Sequence, residues 1–244
     1  MDITGNSLPR TRTVYAIGDV HGCPQMLRKL LGLVLEDAGR HGGTRPRVGF
    51  AGDFIDRGMD SRGVLELLCS AWMTDRFDWF SVRGNHEMMM VDALAGTFDP
   101  RTWMLNGGAE TIESYGVEFG GDGPDRVLRR FAAVLPEPHR EFCAGLPLAH
   151  REGELLFVHA GVDPAVPLDA QQAGTLLWIR EPFLGYAGSF GARIVHGHSP
   201  GPAVAVTQSR IGVDIGAGFP GGTLSAAAIA PGGGVRVLSA GPAG

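Results

Sequence analysis

Cysteine, lysine and tyrosine are scarce in this 244-residue chain, and long apolar runs are missing. The three cysteines, Cys23, Cys69 and Cys143, stand far apart with no CxxC pair, which excludes a zinc knuckle and a disulfide framework and points to a reducing compartment. Lys29 is the single lysine, and the net charge is −5. No Lys/Arg cluster is long enough for a nucleic-acid backbone binder. No stretch approaches the ~18–20 apolar residues of a membrane span, and the first dozen residues lack the apolar core of a signal peptide. These absences lead us to expect a soluble cytoplasmic protein, a monomer, with neither nucleic acid nor membrane as partner.

Glycine is abundant, with 38 residues, and much of it punctuates five polar islands. These are Gly18-Asp19-Val20-His21-Gly22, Gly52-Asp53-Phe54-Ile55-Asp56-Arg57-Gly58, Gly84-Asn85-His86-Glu87, His159-Ala160-Gly161 and His196-Gly197-His198. At least four follow a short apolar run that reads as a strand. Thr13–Ile17, Arg47–Ala51 and Asp78–Val82 are expected strands. Between them, helices are expected from Pro24 to just before Gly39, from Ser61 to Met73 and after His86. The first half is thus strand–island–helix three times over, which predicts parallel strands with the islands gathered beyond their carboxyl ends. Residues 98–150 read as mainly helical. The last hundred residues read as short strands, from Leu155–Val158 to Val235–Leu238, forming a second, more antiparallel sheet packed on the first. The expectation is an α/β protein with one domain over 13–239 and loose tails at 1–12 and 240–244.

Aspartate, asparagine and histidine at strand ends form an oxygen- and nitrogen-rich donor set suited to divalent metal ions. Asp19 and His21, one residue apart, can turn to one ion. Asp53 is the first polar side chain after its strand and is placed to bridge two ions, and Asn85, His159 and His198 would complete the ligand set of the second ion. Spacing alone does not decide which aspartate bridges. His41, His139 and His150 lie outside the islands and read as surface or loop residues. His196 reads as structural, Arg83 as half of an ion pair at a strand end, Glu87 as a helix-start carboxylate, Met88, Met89 and Met90 as core packing, and Cys23 as a small buried residue.

Taken together and in order, the islands resemble the pattern GDxHG, GDxxDRG, GNHE and two later histidine sites of the phosphoprotein phosphatase family within the calcineurin-like metallophosphoesterases. Residues 103–108, 177–180 and 197–200 resemble its bacterial and phage lambda-type serine/threonine phosphatase branch. The chain departs from that pattern at Ile215, where a hydroxyl is usual. The resemblance implies a four-layer metallophosphoesterase fold, with two mixed β-sheets packed as a sandwich between α-helices and a dinuclear metal site at the strand C-terminal edge. It implies that Asp19, His21 and Asp53 hold one ion and that Asp53, Asn85, His159 and His198 hold the other, with two divalent ions, Mn2+ first and Fe or Zn as alternatives. It further implies that Arg57 and Arg180 grip phosphate, and that His86, oriented by Asp56, protonates the leaving oxygen. The implied reaction is direct in-line hydrolysis of a phosphomonoester by a metal-bridging hydroxide, which agrees with the lack of an HCx5R loop at any cysteine. The expected substrate is a phosphorylated protein or small phosphoester. A symmetrical diadenosine tetraphosphatase is the alternative, and a non-catalytic metal-dependent binding module the third reading.

Overall fold

The computed structural model describes residues 11–41 and 45–242, so most of the expected N-terminal tail and residues 243–244 lie outside it. In chain order the strands and helices are β1 (Val14–Ile17), α1 (Pro24–Arg40), β2 (Arg47–Phe50), α2 (Ser61–Leu68), α3 (Ala71–Arg76), β3 (Asp78–Ser81) and α4 (Asn85–Leu94). A helical stretch follows with α5 (Pro100–Trp103), α6 (Ala109–Ser114), α7 (Pro124–Val134) and α8 (Glu137–Gly145). The remainder is β4 (Ala149–Glu152), β5 (Leu155–Val158), α9 (Ala173–Trp178), β6 (Arg193–His196), β7 (Ala205–Val206), β8 (Arg210–Gly212), β9 (Leu224–Ile229) and β10 (Val235–Ala240).

One sheet runs β10-β9-β1-β2-β3 and the other β4-β5-β6-β8-β7. As expected, β1, β2 and β3 are parallel. Strand alternation then decides the layers. Val14 and Ala16 of β1, Ala227 and Ile229 of β9, and Leu155 and Phe157 of β5 meet Val195 and Ile211 in the seam between the sheets. Tyr15, Ile17, Ala226 and Ala228 face the opposite way, into a core with Leu27, Leu30, Leu31 and Val34 of α1. On the far side, Leu156, Val158 and Ile194 pack against Leu176 and Phe183. The result is the four-layer sandwich.

Several local expectations are corrected. The last two strands do not join the second sheet: β9 lies antiparallel on β1, and β10 on β9. The second sheet is mixed, with β5, β6 and β8 parallel, and it gains an unforeseen strand, β4. Helix α1 continues past Gly39 to Arg40. An internal glycine costs about 1 kcal/mol, whereas each buried leucine of its apolar stripe contributes about 1.5–3 kcal/mol, so packing overrides the stop signal. The expected helix from Ser61 to Met73 is broken at Ser70, which adopts an extended conformation while its hydroxyl donates to the Leu67 carbonyl at 2.6 Å. Ala240, expected in a tail, ends β10 and is fully buried.

Candidate metal centre

The loops after β1, β2 and β3 and those after β5 and β6 converge at one edge of the sandwich, as a parallel arrangement requires. The backbone there is held in an uncommon state. Among the described residues, the non-glycine positions with positive φ are His21 (41°), Asp53 (50°), Asp56 (73°), Arg57 (67°) and His198 (63°), every one an island residue. Left-handed backbone costs a non-glycine residue about 1–2 kcal/mol, so surrounding contacts must enforce it. Two glycines let carboxylates press against the chain. A Cβ at Gly84 would fall 2.0 Å from Asp53 Oδ1, and one at Gly197 would fall 1.9 Å from Asp19 Oδ1.

Asp53 is the hub. Its Oδ2 lies 3.6 Å from His21 Nε2, 3.3 Å from His159 Nε2 and 3.9 Å from His86 Nε2. Two groups follow, His21–Asp53–His86 and Asp53–His159–His198, each with ligand atoms within 4.8 Å of one another, and they share Asp53. Asn85 Oδ1 sits 2.7 Å from His159 Nε2 and 3.0 Å from His198 Nδ1. Asp19 closes the ring: its Oδ2 accepts from the His198 backbone N–H at 2.9 Å, and its buried Oδ1 has no hydrogen-bond partner. The imidazoles are oriented from behind. His21 Nδ1 lies 2.9 Å from the Ile55 carbonyl and His159 Nδ1 lies 2.8 Å from the Ala51 carbonyl, which leaves Nε2 of each facing the hub.

Electrostatics agree with a cation-shaped deficit. Burial, then Asp214 and Asp53, pushes the Asp19 carboxyl well above its ordinary range. Burial lowers His21 and His198 to about 3, so their neutral, metal-competent forms prevail. At Asp53 burial opposes ionisation, but His159, His86 and His21 outweigh it and hold the carboxyl low. An orphaned buried carboxylate oxygen, a carboxylate common to two ligand groups and neutral imidazoles at His21 and His198 together fit two divalent ions.

Beside the hub, His86 Nδ1 lies 2.7 Å from Asp56 Oδ2. Asp56 is itself fixed by the Trp103 indole N–H at 2.9 Å and the Thr111 hydroxyl at 2.6 Å. The Arg57 guanidinium rests on His21 Nε2, with its Cζ 4.8 Å from the centre of the Phe219 ring. Arg180 is exposed at the rim, and its charge, after burial and His159, contributes to lowering His198.

Other expectations sort unevenly. His196 is buried but faces Phe183, ring centroids 4.9 Å apart, and belongs to neither ligand group. Among the described residues Arg83 has no ion-pair partner at the strand end, and it donates instead to the Ala144 carbonyl. His139 is not a surface residue. It is buried on α8, with Nδ1 2.7 Å from the Tyr115 hydroxyl. Cys23 is only half-buried. Glu87 does far more than start a helix. Its carboxylate accepts from the backbone N–H groups of Asp53 (3.0 Å), Phe54 (2.8 Å), Ile55 (3.3 Å) and Gly84 (3.0 Å), which fastens the second island to the third. The sequence signal was a glutamate three residues after Gly84, the spacing of a carboxylate that reaches back over a helix start. Trp103, Thr111 and Asp214 were likewise missed as neighbours of the site.

Comparison with known proteins places this geometry. The serine/threonine-protein phosphatase 1 of Salmonella typhimurium is 42% identical over 97 residues, 40% of this chain and 39% of that protein. A symmetrical bis(5'-nucleosyl)-tetraphosphatase of Coxiella burnetii is 38% identical over 159 residues, 63% of this chain and 43% of that protein. The chain spans about two fifths of the length of the curated relatives it matches. A solved structure provisionally assigned as a diadenosine tetraphosphatase shares the fold, with TM-score 0.68, 22% identity and 97% of both chains covered. Among the described residues no helix is long and apolar enough to cross a membrane. The family model for calcineurin-like phosphoesterases matches residues 12–241, and the chain belongs to that family.

Proposed function

We propose that this chain is a metal-dependent phosphoesterase whose substrate is a dinucleoside polyphosphate, cleaved symmetrically, with diadenosine tetraphosphate the type compound. The observation that carries hydrolysis is the Asp53 carboxylate shared by two ligand groups, with His86 of the first group held through Nδ1 by Asp56 and so set apart for proton transfer. The dinucleotide draws support from relatives. Tetraphosphatases align with 62–65% of the chain, whereas the two serine/threonine phosphatases align with 40%. The sequence-based preference for a phosphoprotein of the lambda-type branch therefore gives way to its alternative.

In this reading the catalytic unit is the single domain 13–239. Asp19, His21 and Asp53 hold one ion and Asp53, Asn85, His159 and His198 the other, a donor set open to Mn2+, Fe or Zn. Bound there, the ions supply Lewis acidity and lower the pKa of water near the phosphate. Arg57 and Arg180 bind phosphate oxygens through the guanidinium fork. Water oxygen bonds to an inner phosphorus, and the bond from that phosphorus to the central bridging oxygen breaks. The departing diphosphate oxygen is met by the proton on His86 Nε2, whose ring Asp56 holds in place. Two nucleoside diphosphates leave.

The test is a side-by-side assay with added manganese on diadenosine tetraphosphate, a phosphoserine peptide and p-nitrophenyl phosphate. We expect kcat/KM for the dinucleotide to exceed the others by about 100-fold or more. A preference for the phosphopeptide restores the protein-phosphatase reading. Metal binding without turnover of any of the three makes the chain a binding module.

A further inference from the structure

Beside Arg57 the surface opens into a cleft of about 540 Å³, within the size range of small-molecule sites. Met26, Met59, Phe219 and Pro220 supply its apolar lining, and Gln25 and Asp60 its polar lining. Phe219 is 43% exposed and Met59 76% exposed, so two large apolar side chains stand open to solvent next to a cluster of charge. The cleft is continuous with the site described above. Arg57 lines it, and the same guanidinium that rests on His21 lies over the Phe219 ring. A ligand with a phosphate on Arg57 therefore runs into an aromatic-walled space as it extends away from the ions.

The lining discriminates between occupants. A peptide continuing from a phosphoserine carries backbone N–H and C=O groups that need partners at every residue. A nucleotide continues instead into a flat purine, with one apolar face on each side and polar atoms only at its edge. An exposed phenylalanine ring offers stacking to such a face, methionine thioethers fill around it, and the Gln25 amide offers both donor and acceptor to an edge. Asp60, whose Oδ1 caps α2 through Gly63 N–H at 2.8 Å, keeps carboxylate acceptor capacity for an exocyclic amine. We propose that this cleft is a nucleobase subsite that holds one adenosine of the dinucleotide with its purine stacked on Phe219. The proposal rests on the dinucleotide reading above.

The experiment compares steady-state kinetics of the wild type, Phe219→Ala and Met59→Glu on diadenosine tetraphosphate and p-nitrophenyl phosphate, with manganese. The expected result is a fall of about 10-fold in the ratio of the two kcat/KM values for Phe219→Ala, carried by KM, and a smaller fall for Met59→Glu. If Phe219→Ala lowers both substrates equally, the ring only steadies Arg57 and the subsite is overturned. An unchanged ratio in both variants, with the wild type turning over the dinucleotide, overturns the subsite alone. A phosphoserine peptide whose KM rises in these variants instead marks a peptide groove, which also overturns it. A wild type inert to the dinucleotide removes both the reading and the subsite.

Discussion

The two ends of the same sandwich treat charge in opposite ways. Where the amino ends of β2 and β3 meet the carboxyl end of β4, Arg47 donates to Asp78 at 2.7 Å and to Glu152 at 2.8 Å, which ties one sheet to the other. Phe80 lies beneath the guanidinium, 4.5 Å from its carbon, and His150 stacks on that ring at 3.8 Å. Each acid there has a base. At the carboxyl ends, Asp19, Asp53, Glu87 and Asp214 are all buried among imidazoles, with a partly buried Arg57 the nearest cation among the island residues. One end lowers the free energy of the folded chain. The other raises it and leaves a deficit for cations to fill, the usual division between scaffold and site.

The sharpest way to break this comparison is to remove the hub. Asp53→Asn is expected to lower turnover about 10³-fold or more and to reduce bound manganese, measured by elemental analysis of the dialysed protein. Full metal content with normal turnover would strip Asp53 of its place. His86→Ala comes next, with a loss of about 10²–10³-fold on a phosphoserine peptide and unaltered metal content. The loss on diadenosine tetraphosphate should be smaller. A departing diphosphate, with a pKa near the ~6 of a phosphate second ionisation, needs a proton less than an alkoxide does. Equal losses on the dinucleotide and a phosphoserine peptide would contradict that role.

At the opposite end, Glu152→Gln should cost about 1.5–3 kcal/mol in denaturant unfolding with kcat within twofold of wild type. Burial alone would raise the Glu152 carboxyl, but hydrogen bonds from His150 and Arg47 bring it down to about 2. Its folded pKa is thus below its unfolded value of about 4.3. The stabilisation is complete above the unfolded value and disappears as pH falls toward 2. The wild type and Glu152→Gln should therefore converge in stability across that window. A constant difference down to pH 2 would show that the side chain acts by packing alone. The smallest effect belongs to the exposed Arg62–Glu66 pair on α2, at 2.8 Å. Arg62→Ala should shift the denaturant midpoint far less than Glu152→Gln does, because water screens the exposed pair.

The same contrast explains what the sequence revealed. The islands could be read because strand, turn and ligand are contiguous: Asp19 and His21 follow β1 within a few residues, and Asn85 and His86 open α4. The clasp could not, because Arg47 and Glu152 lie 105 residues apart and no local pattern announces their pairing. The sheet assignment of β9 failed for a similar reason. Its alternation fits either sheet, and the choice of β1 as partner depends on a small alanine face that packs on α1 from one side and on the other sheet from the other. Glu87, Trp103 and Thr111 act on main-chain N–H groups and on Asp56 across long separations, so their neighbours in sequence gave little sign of it.

The left-handed backbone at the islands bears on which chains can arise by mutation. At Arg57, φ 67°, glycine adopts the native conformation without steric cost, while a β-branched residue is penalised further. Inactivating changes such as Arg57→Gly are thus expected to leave stability within about 1 kcal/mol of the active chain, which thermal denaturation would show. A lineage released from selection for activity would lose its ligands and arginines early and keep its fold long afterwards. The island residues, and not the sandwich, would then be the faithful record of whether a relative still works.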